Sequence, residues 1–209
     1  MGTEFSKRSE NMIDTGPENE SDLSFGVANV DARHFEFDHH GLQYESSRLI
    51  AMYHHWVLKN AAAMARLSAG MCVLDYGCSG QQLRRTLPHG VHYVGYDIRE
   101  EVSDIRDPSE CSYDVVFAVQ VLYYLNLEGL RQVVDLFANI TEMVIVMCPR
   151  RNFVKDQILD RLFGLNENRE QLNRTTPDEI YSELGHKFDC SQRKNLFWMG
   201  ELTRWIRLK

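Results

Sequence analysis

The sequence predicts an α/β protein with a mostly parallel sheet, and two observations carry that prediction. Between Met71 and Asp97 a short apolar run, Cys72-Val73-Leu74-Asp75, is followed by a glycine turn, a helix-length segment and a second apolar run, Val91 to Tyr96. Runs of this kind joined by a crossover make parallel neighbours. The alternation continues as far as Cys148, and the tail from Phe188 to Leu208 is aromatic and alternating, as in an antiparallel hairpin. With 209 residues, 44% of them hydrophobic, the chain can bury one substantial core.

Residues 1–24 are polar and acidic without apolar period, which predicts a flexible arm. Residues 25–70 read as a helical cap or lid. A histidine-rich patch, His34 to His40, runs into a helix from about Gln43 to Leu67, with Tyr53, Trp56, Val57, Ala61 and Met64 on one stripe and Gly70 as its terminator. The first two strands follow, joined by a glycine turn and a predicted helix. After Asp97 only Ile98 to Ser103 precedes Asp104-Ile105, so the next crossover is cut short before the strand Tyr113 to Val119. A helix over Leu127 to Ala138 and a strand from Glu142 to Cys148, stopped by Pro149, come next. Beyond Arg150-Arg151 lie an amphipathic stretch, Phe153 to Phe163, and a polar loop. Thr176-Pro177-Asp178-Glu179 then opens another helix, with Thr176 as N-cap and Glu179 three residues on. The hairpin's turn falls at Gly200 or in the Arg193–Asn195 region.

The chemistry concentrates where the first strand ends. Gly77 and Gly80 let backbone approach a ligand closely, and the predicted helix start offers N–H groups to a negative group. Asp97, at the tip of the second strand, is placed to accept hydrogen bonds from both hydroxyls of a ribose, so a nucleotide-like ligand across two strand ends is the simplest reading. The alternative is an ordinary strand-to-helix turn, and the three-glycine dinucleotide fingerprint is not met, because Gln81 and Gln82 follow the second glycine.

A net charge of −7 speaks against a general nucleic-acid binder, and no apolar run is long enough for a membrane span. The five cysteines are scattered and odd in number, which predicts reduced thiols and a cytoplasmic protein, with no secretory signal in view.

With Asp75 just before the turn, VLDYGCSG resembles motif I of the Rossmann-like (class I) S-adenosylmethionine-dependent methyltransferases, and YVGYDI resembles their acidic second motif. The truncated second crossover is similar to a compact, small-molecule branch of that family, and the resemblance runs from Met71 to the C-terminus. It implies a doubly wound, seven-stranded, mostly parallel sheet with a C-terminal antiparallel hairpin, residues 71–209 forming the S-adenosylmethionine-binding domain. The cofactor residues it implies are Asp75, Gly77, Cys78, Gly80, Asp97, Ile98, Asp104, Ile105 and Gln120. In that scheme the glycines admit the methionine moiety, Asp97 fixes ribose, and Ile98 and Ile105 sandwich adenine. Asp104 has the alternative reading of a plain loop carboxylate. The activity implied is methyl transfer to an O or N atom of a small molecule, with no nucleic-acid or membrane partner and the oligomeric state open. A catalytically inactive binding or regulatory subunit, or a protein methyltransferase, is the alternative.

Because the methyl group arrives activated, alignment matters most and a base is needed only for acceptors that lose a proton early. Tyr124, which stands where the family often has histidine, and His40 are the catalytic candidates, with His39, His54 and His55 as further bases. Arg150, Arg151 and Tyr123 are candidates for holding the acceptor, the arginines having the alternative of a solvated loop pair. The spacing of His34, His39 and His40 matches no firm metal pattern, so no metal is expected.

Overall fold

The computed structural model describes residues 48–149, 174–197 and 200–209. Helix α1 (Arg48–Ala65) leads into β1 (Cys72–Tyr76) and β2 (His92–Tyr96), then β3 (Val115–Val119). Helix α2 (Leu127–Ile140), β4 (Met143–Pro149), α3 (Pro177–Gly185), β5 (Phe188–Leu196) and β6 (Gly200–Arg207) complete the order. The strands form one sheet in the order β2-β1-β3-β4-β6-β5. The pairs β1–β2, β1–β3 and β3–β4 are parallel, whereas β4–β6 and β5–β6 are antiparallel.

Alternation along the parallel strands sends side chains to two cores. On one face Leu74, Val116, Val144 and Val146 meet Leu130, Val134 and Phe137 of α2 and Ile180 and Leu184 of α3. On the other, Val73, Phe117, Ile145 and Met147 meet Val57, Ala61, Met64 and Ala65 of α1. Strands covered on both sides read as continuous apolar runs, which is why Val115 to Ala118 are all fully buried.

Several expectations change. Six strands, not seven, are found among the described residues. The segment after the glycine turn is a five-residue 3-10 helix, Gln82–Thr86, not an α-helix. Pro88 and Gly90 close it, and Leu83 is its one buried residue, so it has no apolar stripe to hold a longer helix against the sheet. The connection from β2 to β3 holds only two short 3-10 turns, Glu100–Val102 and Pro108–Glu110. The predicted double winding is therefore thin on the β2 side, since neither of these crossovers carries an α-helix.

The leading helix ends at Ala65, with Arg66 rather than Gly70 taking the left-handed conformation (φ 54°). Gly70, at φ 87°, serves instead the turn before β1, where its N–H donates to Gly90 O. The capping box at Thr176 and Glu179 forms as expected. The hairpin turns just before Gly200, whose backbone lies so close to β4 that an added Cβ would stand 2.6 Å from Cys148 O. No helix among the described residues is long and apolar enough to cross a membrane.

Candidate functional site

The carboxyl ends of β1 and β2 lie side by side, with Asp75 paired to Gly95 and Tyr76 to Tyr96. The chain leaves β1 through a turn that folds back onto β2, where the N–H groups of Gly77 and Cys78 both donate to Tyr96 O (2.7 and 3.0 Å). Gly77 is required twice over. Its φ is 79°, and a Cβ there would meet the side chain of Val121 at 2.5 Å. Gly80 is different, because a Cβ would meet nothing within 4 Å, so its outer side faces open space.

Two further turn residues adopt the left-handed region without being glycine, Ser79 at φ 46° and Gln81 at φ 52°. Each conformation costs about 1 kcal/mol relative to glycine. Local bonds offset part of that cost. Ser79 N donates to Asp97 Oδ2 at 2.9 Å, and Ser79 Oγ accepts from Arg99 Nη2 at 3.3 Å. Gln81 Nε2 donates to Val102 O at 3.0 Å and to Asp104 Oδ1 at 3.1 Å.

Asp97 follows β2 and faces the turn. Its carboxylate accepts from Ser79 N and from Arg99 N and Nε, the last at 3.2 Å. Ile98 beside it is half exposed, whereas Ile105 is partly buried and packed against the core. Asp104 bonds the outer edge of β2 twice, its Oδ2 accepting from Gly95 N (2.9 Å) and its own N–H donating to Gly95 O (2.8 Å). A side chain at Gly95 would be tight, since a Cβ would meet Cys78 Sγ, Tyr93 Oη and Asp104 Oδ2 at 3.0–3.3 Å.

Asp75 is buried at the end of β1 and accepts a hydrogen bond from Tyr93 Oη at 2.9 Å. Burial pushes its carboxyl up to about 7, the nearby Asp97 charge adding to the rise while the Tyr93 bond works against it. Burial likewise raises the Tyr93 phenol, with the charge of Asp75 next in importance. The Cys78 thiol, raised to about 12 chiefly by burial, donates to Val102 O at 3.4 Å and fills the turn rather than acting as a nucleophile.

Gln120, one residue past β3, has φ 59° and donates its N–H to Met147 O (3.0 Å), a non-glycine in strained conformation at the carboxyl rim of the sheet. Tyr123 and Tyr124 follow in a 3-10 turn, their rings 4.3 Å apart, with Tyr123 Oη donating to Tyr124 Oη at 3.1 Å. Of the histidines on α1, His54 is half-buried and held down to about 4 by burial, so its imidazole is neutral, while His55 is exposed.

The structure thus brings Asp75, Gly77, Cys78, Asp97 and Asp104 into one cluster, joined at the same rim by Gln120. His34, His39, His40, Arg150 and Arg151 lie outside the described residues, within which no three His, Cys, Asp or Glu side chains converge as a metal-ligand set. The predicted helix start behind the turn is withdrawn, because a five-residue 3-10 helix replaces it. Sequence reasoning missed Tyr93, Gly95, Arg99 and Ser103, and Gln81 was noted only as a departure from a glycine pattern. Ser103 Oγ accepts from Asp97 N (3.1 Å) and donates to Ile105 O (2.6 Å).

No protein-family model matches the chain, and no curated protein matches it by sequence. Solved structures do. Magnesium protoporphyrin IX methyltransferase from Synechocystis PCC 6803, crystallised with bound SAH, superposes with a TM-score of 0.59 at 17% identity, covering 82% of this chain and 94% of that one. The pyocyanin biosynthetic protein PhzM gives a TM-score of 0.56 at 14% identity, over 77% of this chain and 57% of its own. The small RNA methyltransferase HEN1 gives 0.55 at 15% identity, over 74% of this chain and 25% of its own. These superpositions show that this chain has the Rossmann-like fold of the class I S-adenosylmethionine-dependent methyltransferases.

Proposed function

We propose that the protein is an S-adenosylmethionine-dependent methyltransferase acting on an O or N atom of a small molecule. The observation that carries this reading is Asp97 at the tip of β2, facing the Gly77–Gly80 turn with Ser79 N between them. The residues present fit the cofactor. Gly80 leaves open space beside the turn, Asp97 keeps one acceptor site, on Oδ2, for a ribose hydroxyl, and half-exposed Ile98 offers an apolar surface next to it. Asp97 and Asp104 against the paired Arg99 make the cluster acidic, which suits a ligand bearing sulfonium and ammonium charges. When bound, S-adenosylmethionine supplies a methyl group already activated on a sulfonium sulfur. The chain's part is then to hold and align.

In this assignment Gly77, Cys78 and Gly80 border the methionine portion. Asp97 takes the ribose, and Ile98, Asp104 and Ile105 border the adenine. Gln120 borders the cofactor's ammonium end or the acceptor, and Tyr123 and Tyr124 face the acceptor. Tyr124, hydrogen-bonded to Tyr123, is a candidate for receiving a proton, with His40 as a further one; Arg150 and Arg151 are candidates for holding the acceptor, and these three lie outside the described residues. The neutral His54 imidazole, on the inward side of α1, is a second candidate base. Of the expected cap, residues 25–70, the part ahead of residue 48 lies outside the described residues.

Calorimetric titration tests the reading. Wild-type protein should bind S-adenosylmethionine and S-adenosylhomocysteine, and Asp97→Ala should weaken both by about 1–3 kcal/mol as charge-assisted hydrogen bonds are lost. No binding by folded wild type at millimolar ligand would refute it. Binding without turnover across a panel of small hydroxyl- and amine-bearing acceptors would instead identify a non-catalytic subunit.

A further inference from the structure

We propose that Gln81 is a positioning residue that sets the width of the cofactor site by clamping the glycine turn to the loop that follows β2; the inference rests on the methyltransferase reading above. Its backbone is left-handed (φ 52°, ψ 33°), a conformation glycine adopts more easily. The turn itself would therefore be better served by glycine. What glutamine adds is its carboxamide. The two hydrogens of Nε2 have two acceptors, Val102 O at 3.0 Å and Asp104 Oδ1 at 3.1 Å.

Asp104 carries the connection onward. Its other carboxylate oxygen and its own N–H close both backbone groups of Gly95 on the outer side of β2. The Cys78 thiol reaches the same Val102 carbonyl at 3.4 Å. A continuous path of hydrogen bonds so runs from the turn through Gln81 and Asp104 to β2. The turn borders the methionine end of the proposed ligand, and the loop borders its adenine end. The clamp fixes their separation before the ligand arrives, which removes an ordering cost from binding.

No simple replacement does the same. Glycine relieves the backbone and removes the clamp. Glutamate keeps the size but offers only acceptors, and sets a carboxylate against Asp104 and a carbonyl. The two variants therefore separate positioning from bulk stability. Gln81→Gly should melt at or above the wild-type temperature while binding S-adenosylhomocysteine about five- to twentyfold more weakly. Gln81→Glu should bind more weakly still, because it sets a second carboxylate against Asp104 and the Val102 carbonyl with no donor between them.

The experiment is calorimetry with S-adenosylhomocysteine on wild type and both variants, with hydrogen exchange on the ligand-free proteins. In Gln81→Gly the amides of Gly95 and Asp104 should exchange faster than in wild type. Affinity within twofold of wild type for Gln81→Gly, or unchanged exchange at those two amides, overturns the proposal. A wild type that binds no S-adenosylhomocysteine overturns the methyltransferase reading and the positioning role with it, and the exchange contrast then shows whether the clamp itself exists.

Discussion

Asp75 is a carboxyl that the sheet buries and a single tyrosine hydroxyl supports, with a second carboxylate close by. Its proton is held to about 7 in the folded chain against 3.8 for the free side chain. Between those values the native state carries a proton the unfolded chain has lost, so stability falls as pH rises through the window. Asp75→Asn keeps an acceptor for Tyr93 and removes the titration. In urea denaturation its stability relative to wild type should improve by roughly 2–4 kcal/mol between pH 4 and pH 8, then level off. A parallel pH dependence in both proteins would show that Asp75 is not the titrating group. In the methyltransferase reading, a cation beside Asp75 favours its ionised form. Wild-type affinity for S-adenosylmethionine should therefore rise from pH 6 to pH 8 by titration calorimetry, and that of Asp75→Asn should not. Asp75, Gly77 and Asp97 were legible because a strand, a turn and a strand tip announce themselves locally. Tyr93 and Gly95 were not. Their roles follow from the register that sets Asp75 opposite Gly95, and from a loop that folds back nine residues later onto the same glycine.

Among the elements, the start of α3 was readable to the residue. Thr176 Oγ1 accepts from Glu179 N, and the Glu179 carboxylate accepts from Thr176 N at 2.7 Å, holding its carboxyl below the usual range. Thr176→Ala should lower stability by about 1 kcal/mol, measured by chemical denaturation, with little effect on ligand affinity. A loss beyond about 3 kcal/mol would mean that the cap anchors more than one helix. Capping signals are visible in sequence because they involve residues three apart. The segment after the glycine turn was misread for the opposite reason. Its length allowed a helix, but only Leu83 finds a core to bury in, and tertiary contact decides short helices. Gly200 was read as a turn residue, whereas its close approach to Cys148 is the stronger constraint.

For the whole molecule, alternating apolar runs and a terminal hairpin were enough to place the chain in the α/β class with its parallel and antiparallel parts in the right order. Strand order was not contained in those patterns, because parallel neighbours are chosen by long-range packing. The sheet's protection should be graded accordingly. Strands β3 and β4 are covered on both faces, while β5 has one neighbour among the described residues and mostly exposed side chains. Native-state hydrogen exchange should place β3 and β4 amides at the global unfolding free energy and β5 amides several kcal/mol below it, roughly 2–4. Equal protection in β5 and β3 would mean that the sheet opens only as one unit.

The outer side of β2 has a consequence of its own. A strand at the end of a sheet is a template on which a second chain can pair and begin to aggregate. Here Asp104 occupies both main-chain groups of Gly95, and Ser103 takes the N–H of Asp97, so a loop of side chains stands where a further strand would pair. Among the described residues these few polar atoms close the outer side of β2, and they are the ones to preserve when the protein is redesigned.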